Sequence, residues 1–85
     1  MAIIDVLERI GSLEEDSIWN IEEVLKTLGV DQITEARTFP GRIGQTVQIW
    51  TEDQRELYFG LSEFGYVEIV REGSPDGEIV YMPID

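Results

Sequence analysis

The chain has no cysteine and no histidine among its 85 residues. Without cysteine it can form no disulfide, no thiolate metal site and no thiol nucleophile, and a reducing cytoplasm is the expected setting. Without histidine, both the commonest general base and the commonest metal ligand are missing. A Ser-His-acid arrangement and a histidine-bearing zinc site therefore cannot be built. Long apolar runs are also lacking. None approaches the ~18 residues that a membrane span needs. The N-terminal MAIIDVLERIG places Asp5 and Glu8 among its apolar residues, so it does not read as a secretory signal. Positive charge is scarce, with six Lys and Arg against eighteen Asp and Glu.

What is present is an acidic domain with enough apolar residues to fold. Hydrophobic residues make up 42% of the chain, which is too many for a disordered acidic tail, and the length suits one domain over residues 1–85. The net charge of −12 is spread evenly, with nine acids and three bases in residues 1–39 and the same numbers in residues 40–85. That charge opposes binding to DNA, RNA or anionic lipid and favours a protein partner with a basic surface.

Apolar spacing separates a helical N-terminal part from a β-rich remainder. Ile3, Ile4, Leu7 and Ile10 recur at helical intervals, which predicts a first helix over residues 2–10 ending at Gly11. Ile18, Ile21, Leu25 and Leu28 form a second stripe. It predicts a helix over residues 18–28, with Ser17 as its cap, Asn20 and Glu23 as a further capping pair, and Gly29 as its stop. ITEARTF (33–39), TVQIWT (46–51), ELYFGL (56–61), YVEIVRE (66–72) and EIVYMPI (78–84) read as strands. EDQR and GSPDG serve as hairpin turns; Ser74-Pro75-Asp76-Gly77 suits a type I turn.

The expected fold is α+β, with two N-terminal helices packed on a four- to five-stranded antiparallel sheet. Alternation assigns Val47, Ile49, Leu57, Phe59, Leu61, Val67, Ile69, Ile79 and Tyr81 to the covered face. Trp50, Tyr58, Tyr66, Val70, Val80 and Met82 go to the other face. The alternative takes Thr51 and Gln54 as a capping box and Leu57, Leu61 and Phe64 as a helical stripe ended by Gly65. With GSPDG as a wing, the last 35 or so residues then resemble the winged-helix modules of many regulators. Gly60 inside that helix would cost about 1 kcal/mol, and LYF favours a strand. Helix two followed by GVDQ also resembles a helix-turn-helix, in Val24, Leu28, Gly29 and Val30. It departs from that pattern at Leu25, Glu35 and Thr38, and a recognition helix there would turn Asp31 and Glu35 toward phosphate. Gly41-Arg42-Ile43-Gly44 resembles the G-x-x-G loop of KH-type RNA-binding domains, but a glycine-requiring hairpin loop accounts for it better.

Function is sought in SLEEDSIWNIEE, residues 12–23. Consecutive Glu14, Glu15 and Asp16 in an extended loop point in different directions, unlike the converging oxygens of a Ca²⁺ or Mg²⁺ site, so neither metal nor cofactor is expected. Acids near the positive N-terminal end of a helix are favourable without any further role. The functional reading is that Glu14, Glu15, Asp16, Glu22 and Glu23 form one exposed ridge beside Trp19. In size and charge the chain resembles the acidic inhibitors of restriction, repair and CRISPR enzymes, with which it shares no motif. That resemblance implies a non-enzymatic inhibitor or regulatory adaptor, a nucleic-acid mimic seated in a basic groove of a nucleic-acid-processing enzyme. The other candidate surface is the aromatic sheet face of Trp50, Tyr58 and Tyr66, through which an accessory subunit could dock on a larger complex; a closed barrel or dimer would hide the same residues.

Overall fold

A computed structural model describes residues 1–41 and 44–83. The middle of the G-x-x-G loop, Arg42 and Ile43, and Ile84 at the end of the last expected strand lie outside the described residues. Two helices, α1 (Ile3–Glu8) and α2 (Glu15–Thr27), precede five strands: β1 (Ile33–Pro40), β2 (Gln45–Thr51), β3 (Glu56–Leu61), β4 (Val67–Glu72) and β5 (Glu78–Tyr81). The strands form one antiparallel sheet in sequence order, each paired with its chain neighbour. Residues 56–61 are thus a strand between β2 and β4, and not the helix of the winged-helix alternative.

Buried side chains from both helices and from β1 to β4 belong to a single hydrophobic cluster. It includes Leu7, Ile21, Leu25, Ile33, Ile49, Leu57, Phe59 and Val70. Each such side chain removed from water contributes roughly 1.5–3 kcal/mol.

Helix α2 begins a turn earlier than its apolar stripe predicts. Glu14 is the N-cap, in extended geometry and with no side-chain cap bond, and Glu15 and Asp16 form the acidic first turn. Ser17 is a buried helical residue and does not cap. A Cβ built on Gly65 would come within 2.4 Å of Ser17 Oγ, so the loop before β4 presses on this point of the helix. Asn20 does not cap either; its Oδ1 accepts a hydrogen bond from Val67 N–H at 2.8 Å. The C-terminal end follows expectation. Gly29 has φ +81, its N–H bonds to Lys26 O at 3.0 Å, and Val30 N–H bonds to Leu25 O at 2.9 Å, which satisfies the last carbonyls in a Schellman arrangement. Arg55 supplies Leu28 O with a further donor at 3.0 Å while holding Glu72 by two nitrogens at 3.0 and 3.3 Å. The bond to Glu72 raises the guanidinium pKa above its ordinary value.

Two irregularities, one in β4 and one in β5, change which side chains face inward. Strand β3 pairs Phe59 with Val70, Gly60 with Ile69 and then Leu61 with Val67, skipping Glu68; β5 pairs Val70 with Tyr81 and Arg71 with Ile79, skipping Val80. Val67 and Val70 are therefore both buried, and Ile69 and Ile79 turn to the outer face. Strict alternation assigns Val70, Ile69 and Ile79 the other way; the extra residue at each bulge resets the parity. Val80 packs on the core beside Tyr81, also against the alternation. At the last turn, Gly77 N–H closes on Ser74 O at 2.9 Å around Pro75 and Asp76.

Candidate functional site

Starting α2 at Glu15 places Trp19 in the middle of an acidic helix face. Residues three and four apart are surface neighbours on a helix. For Trp19 these are Glu15 and Asp16 on one side and Glu22 and Glu23 on the other, so all four neighbours are carboxylates. Trp19 is 55% exposed, Glu15, Asp16 and Glu23 are exposed, and Glu22 is half-buried. Glu15 with Glu22 and Asp16 with Glu23 make two rows, each spanning two turns or about 10.5 Å at 1.5 Å per residue. Among the described residues one base answers them: Lys26 reaches Glu22 at 3.8 Å across a mostly exposed pair, a contact of small energetic weight.

Glu14 departs from this group. It borders the hollow lined by Ser12, Ser17, Gly44 and Phe64, whereas Glu15 lines a groove with Trp19 on the side of α1. Tyr66 precedes β4, outside the paired rows that hold Trp50 and Tyr58. The Tyr66–Val67 peptide is bonded to Asn20 of α2, and the Tyr66 side chain is 54% exposed.

The Trp50 face is organised differently. Paired residues share a face, so Arg37, Gln48 and Tyr58 form one row across β1, β2 and β3, and Glu35, Trp50 and Glu56 form the next. Arg37 Nε donates to Gln48 Oε1 at 3.1 Å, and Gln48 Nε2 donates to Tyr58 Oη at 2.9 Å. Tyr58 Oη donates to Glu56, which also accepts from Trp50 Nε1 at 3.0 Å. The Arg37 guanidinium carbon lies 5.4 Å from the Trp50 ring centroid, a cation–π contact. The hydrogen bond to Glu56 pushes the Tyr58 phenol above its ordinary pKa; desolvation and the Glu56 charge act in the same direction, and Arg37 opposes them. Trp50 and Tyr58 thus spend their polar atoms within the sheet, whereas Trp19 has no recorded side-chain bond among the described residues.

The structure therefore divides the sequence-predicted residues into two surfaces. One holds Glu15, Asp16, Trp19, Glu22 and Glu23; the exposed Tyr66 belongs to neither paired row of the sheet face. The other holds Trp50 and Tyr58. Sequence reasoning missed Arg37, Gln48 and Glu56, which tie down the second surface. Their cross-strand register was the available signal.

Among the described residues no three carboxylates group closely enough to hold a metal ion, and no helix is long and apolar enough to cross a membrane. Comparison with family models, with curated proteins and with solved structures finds no match.

Proposed function

We propose that the chain is a small, cytoplasmic, non-enzymatic binding protein, an inhibitor or regulatory adaptor, that docks its acidic α2 face on the basic surface of a protein partner. One observation carries this reading: an exposed tryptophan whose four helical neighbours are all carboxylates, with one weakly placed lysine in reply. Around a solvent-facing indole, such charges favour arginine and lysine and repel anions. The two carboxylate rows support imitation of a nucleic acid. Their span of about 10.5 Å matches about three phosphate steps of 3.4 Å along one DNA strand. The partner is then an enzyme whose basic groove ordinarily holds nucleic acid. In this reading the two helices cover the inner sheet face, in keeping with the shared hydrophobic cluster, and leave the α2 carboxylates outward.

The second reading is an accessory subunit docking through the outer sheet face. It draws on the exposed Phe39 and Ile79 there. It is weaker because Trp50 and Tyr58 already have partners within the sheet.

Affinity capture at low and at high salt tests the choice. The wild-type chain is compared with a variant carrying Glu15→Gln, Asp16→Asn, Glu22→Gln and Glu23→Gln. The expected result is a basic nucleic-acid enzyme retained at low salt, released at high salt, released by competing DNA or RNA, and lost with the variant. A complex held equally at both salt concentrations and by the variant would refute the reading and favour the outer sheet face.

A further inference from the structure

Between α1 and α2 runs a groove of about 490 Å³ lined by Ile4, Glu8, Leu13, Glu15, Ile18 and Trp19. Four of its six lining residues are apolar. Ile18 is buried, Ile4 and Leu13 are half-buried, and the exposed Trp19 ring forms one wall. A carboxylate stands on each side, Glu8 from α1 and Glu15 from α2, and among the described residues neither has a salt bridge. The nearest base in sequence, Arg9, lies on the opposite flank of α1, in the hollow with Val6, Ile10 and Thr34. The groove thus sets four apolar side chains between two carboxylates that have no salt bridge among the described residues, beside the acidic α2 face.

We propose that this groove receives one large apolar side chain from a basic segment of the partner, while lysines or arginines flanking that side chain reach Glu8 and Glu15. The complementarity selects the occupant. An acidic or neutral peptide would leave both carboxylates unanswered, and a uniformly basic one would leave the apolar lining wet. The flat wall of Trp19 suits an aliphatic side chain on its face and a guanidinium or ammonium at its rim. The inference rests on the charge-driven reading above and goes further: charge brings the partner to α2, and an apolar anchor fixes its register.

The test uses the full chain labelled with 5-fluorotryptophan, whose two ¹⁹F signals are assigned with Trp19→Phe. Three synthetic peptides of equal length are titrated at low salt: lysines around a central leucine, lysines alone, and the leucine peptide with its lysines replaced by glutamine. The leucine–lysine peptide is expected to shift the Trp19 signal, leave the Trp50 signal in place, and bind about tenfold more tightly than the all-lysine peptide. Glu8→Gln with Glu15→Gln should weaken both basic peptides, and Leu13→Ser should erase the leucine preference while all-lysine binding persists. An unchanged Trp50 signal reports that the Leu13→Ser chain is folded. Equal affinity for the two basic peptides, or tight binding that leaves the Trp19 signal unmoved, overturns the groove proposal and leaves the charge-driven reading standing. Failure of every lysine peptide to bind at low salt overturns both. Tight binding of the glutamine peptide overturns the role of charge.

Discussion

Replacing each tryptophan with alanine separates the two surfaces, because the two indoles do different work. Trp50 donates to a carboxylate at 3.0 Å and lies under a guanidinium at 5.4 Å. A hydrogen bond to a charged acceptor contributes about 1.5–3 kcal/mol, and the lower end applies at this half-buried site. The cation–π contact adds about 0.5–1 kcal/mol. Lost apolar contact adds about 1–2 kcal/mol, below the 3–5 kcal/mol of a fully buried aromatic. Trp50→Ala should therefore cost about 3–4.5 kcal/mol. At about 4–8 °C per kcal/mol for a domain of this size, the melting midpoint falls by at least about 12 °C. Trp19, 55% exposed and without a polar partner, should cost less than about 1 kcal/mol. Urea titration followed by circular dichroism measures both, provided the slopes match. Partner binding should show the reverse order, lost in Trp19→Ala and kept in Trp50→Ala at temperatures where that variant is folded. If Trp50→Ala costs under about 1 kcal/mol, the hydrogen-bonded row on the outer face does not hold the sheet together as argued. If Trp19→Ala is the more destabilising change, α2 does not present its indole to solvent.

Two further outcomes test the packing and the electrostatics. Gly65→Ala should destabilise by about 2 kcal/mol or more, since φ is +88 and the new Cβ would approach Ser17 Oγ; Ser17→Ala in the same chain should recover part of that loss, read as a coupling in chemical denaturation. Tyr58, whose phenol is held above its ordinary value of 10.0 mainly by Glu56, should ionise above that value in an absorbance titration. Because the folded pKa is the raised one, this contribution to stability is complete below the unfolded value and is lost as pH rises through the folded one, so stability should fall in alkali. Glu56→Gln should bring the Tyr58 titration down; an unchanged titration would refute the assignment of cause.

The sequence made some of this legible and hid the rest for identifiable reasons. The apolar stripe of Ile18, Ile21 and Leu25, the Gly29 stop and the turn at Ser74–Gly77 all carry local chemistry, and each has its counterpart in the structure. The start of α2 did not announce itself, because Glu14 makes no side-chain cap bond. A helix begun at Ile18 leaves Glu15 and Asp16 outside it, and the ring of acids around Trp19 then disappears. The inner and outer faces of β4 and β5 went astray because a bulge adds a residue without altering the apolar pattern around it. Tyr66 lies just before β4, beyond the last paired residue Val67, where strand alternation does not reach. Of the five acids, Glu15, Asp16, Glu22 and Glu23 are the helical neighbours of Trp19, and Glu14 borders another hollow.

That same bond from Val67 to Asn20, 47 residues apart in the chain, bears on the order in which the molecule assembles. Every strand pairs with the one before it, so the sheet can grow by successive short closures, the kind that favours rapid folding. Helix α2 gains its bond at Asn20 only once the chain has reached β4. During synthesis the acidic helix would emerge early with its apolar stripe unshielded, and it would be seated only late. The surface proposed to meet the partner therefore draws on the rest of the molecule: a nascent or truncated chain that stops short of β4 would carry all four carboxylates and still lack the bond that ties Asn20, beside Trp19, to the sheet.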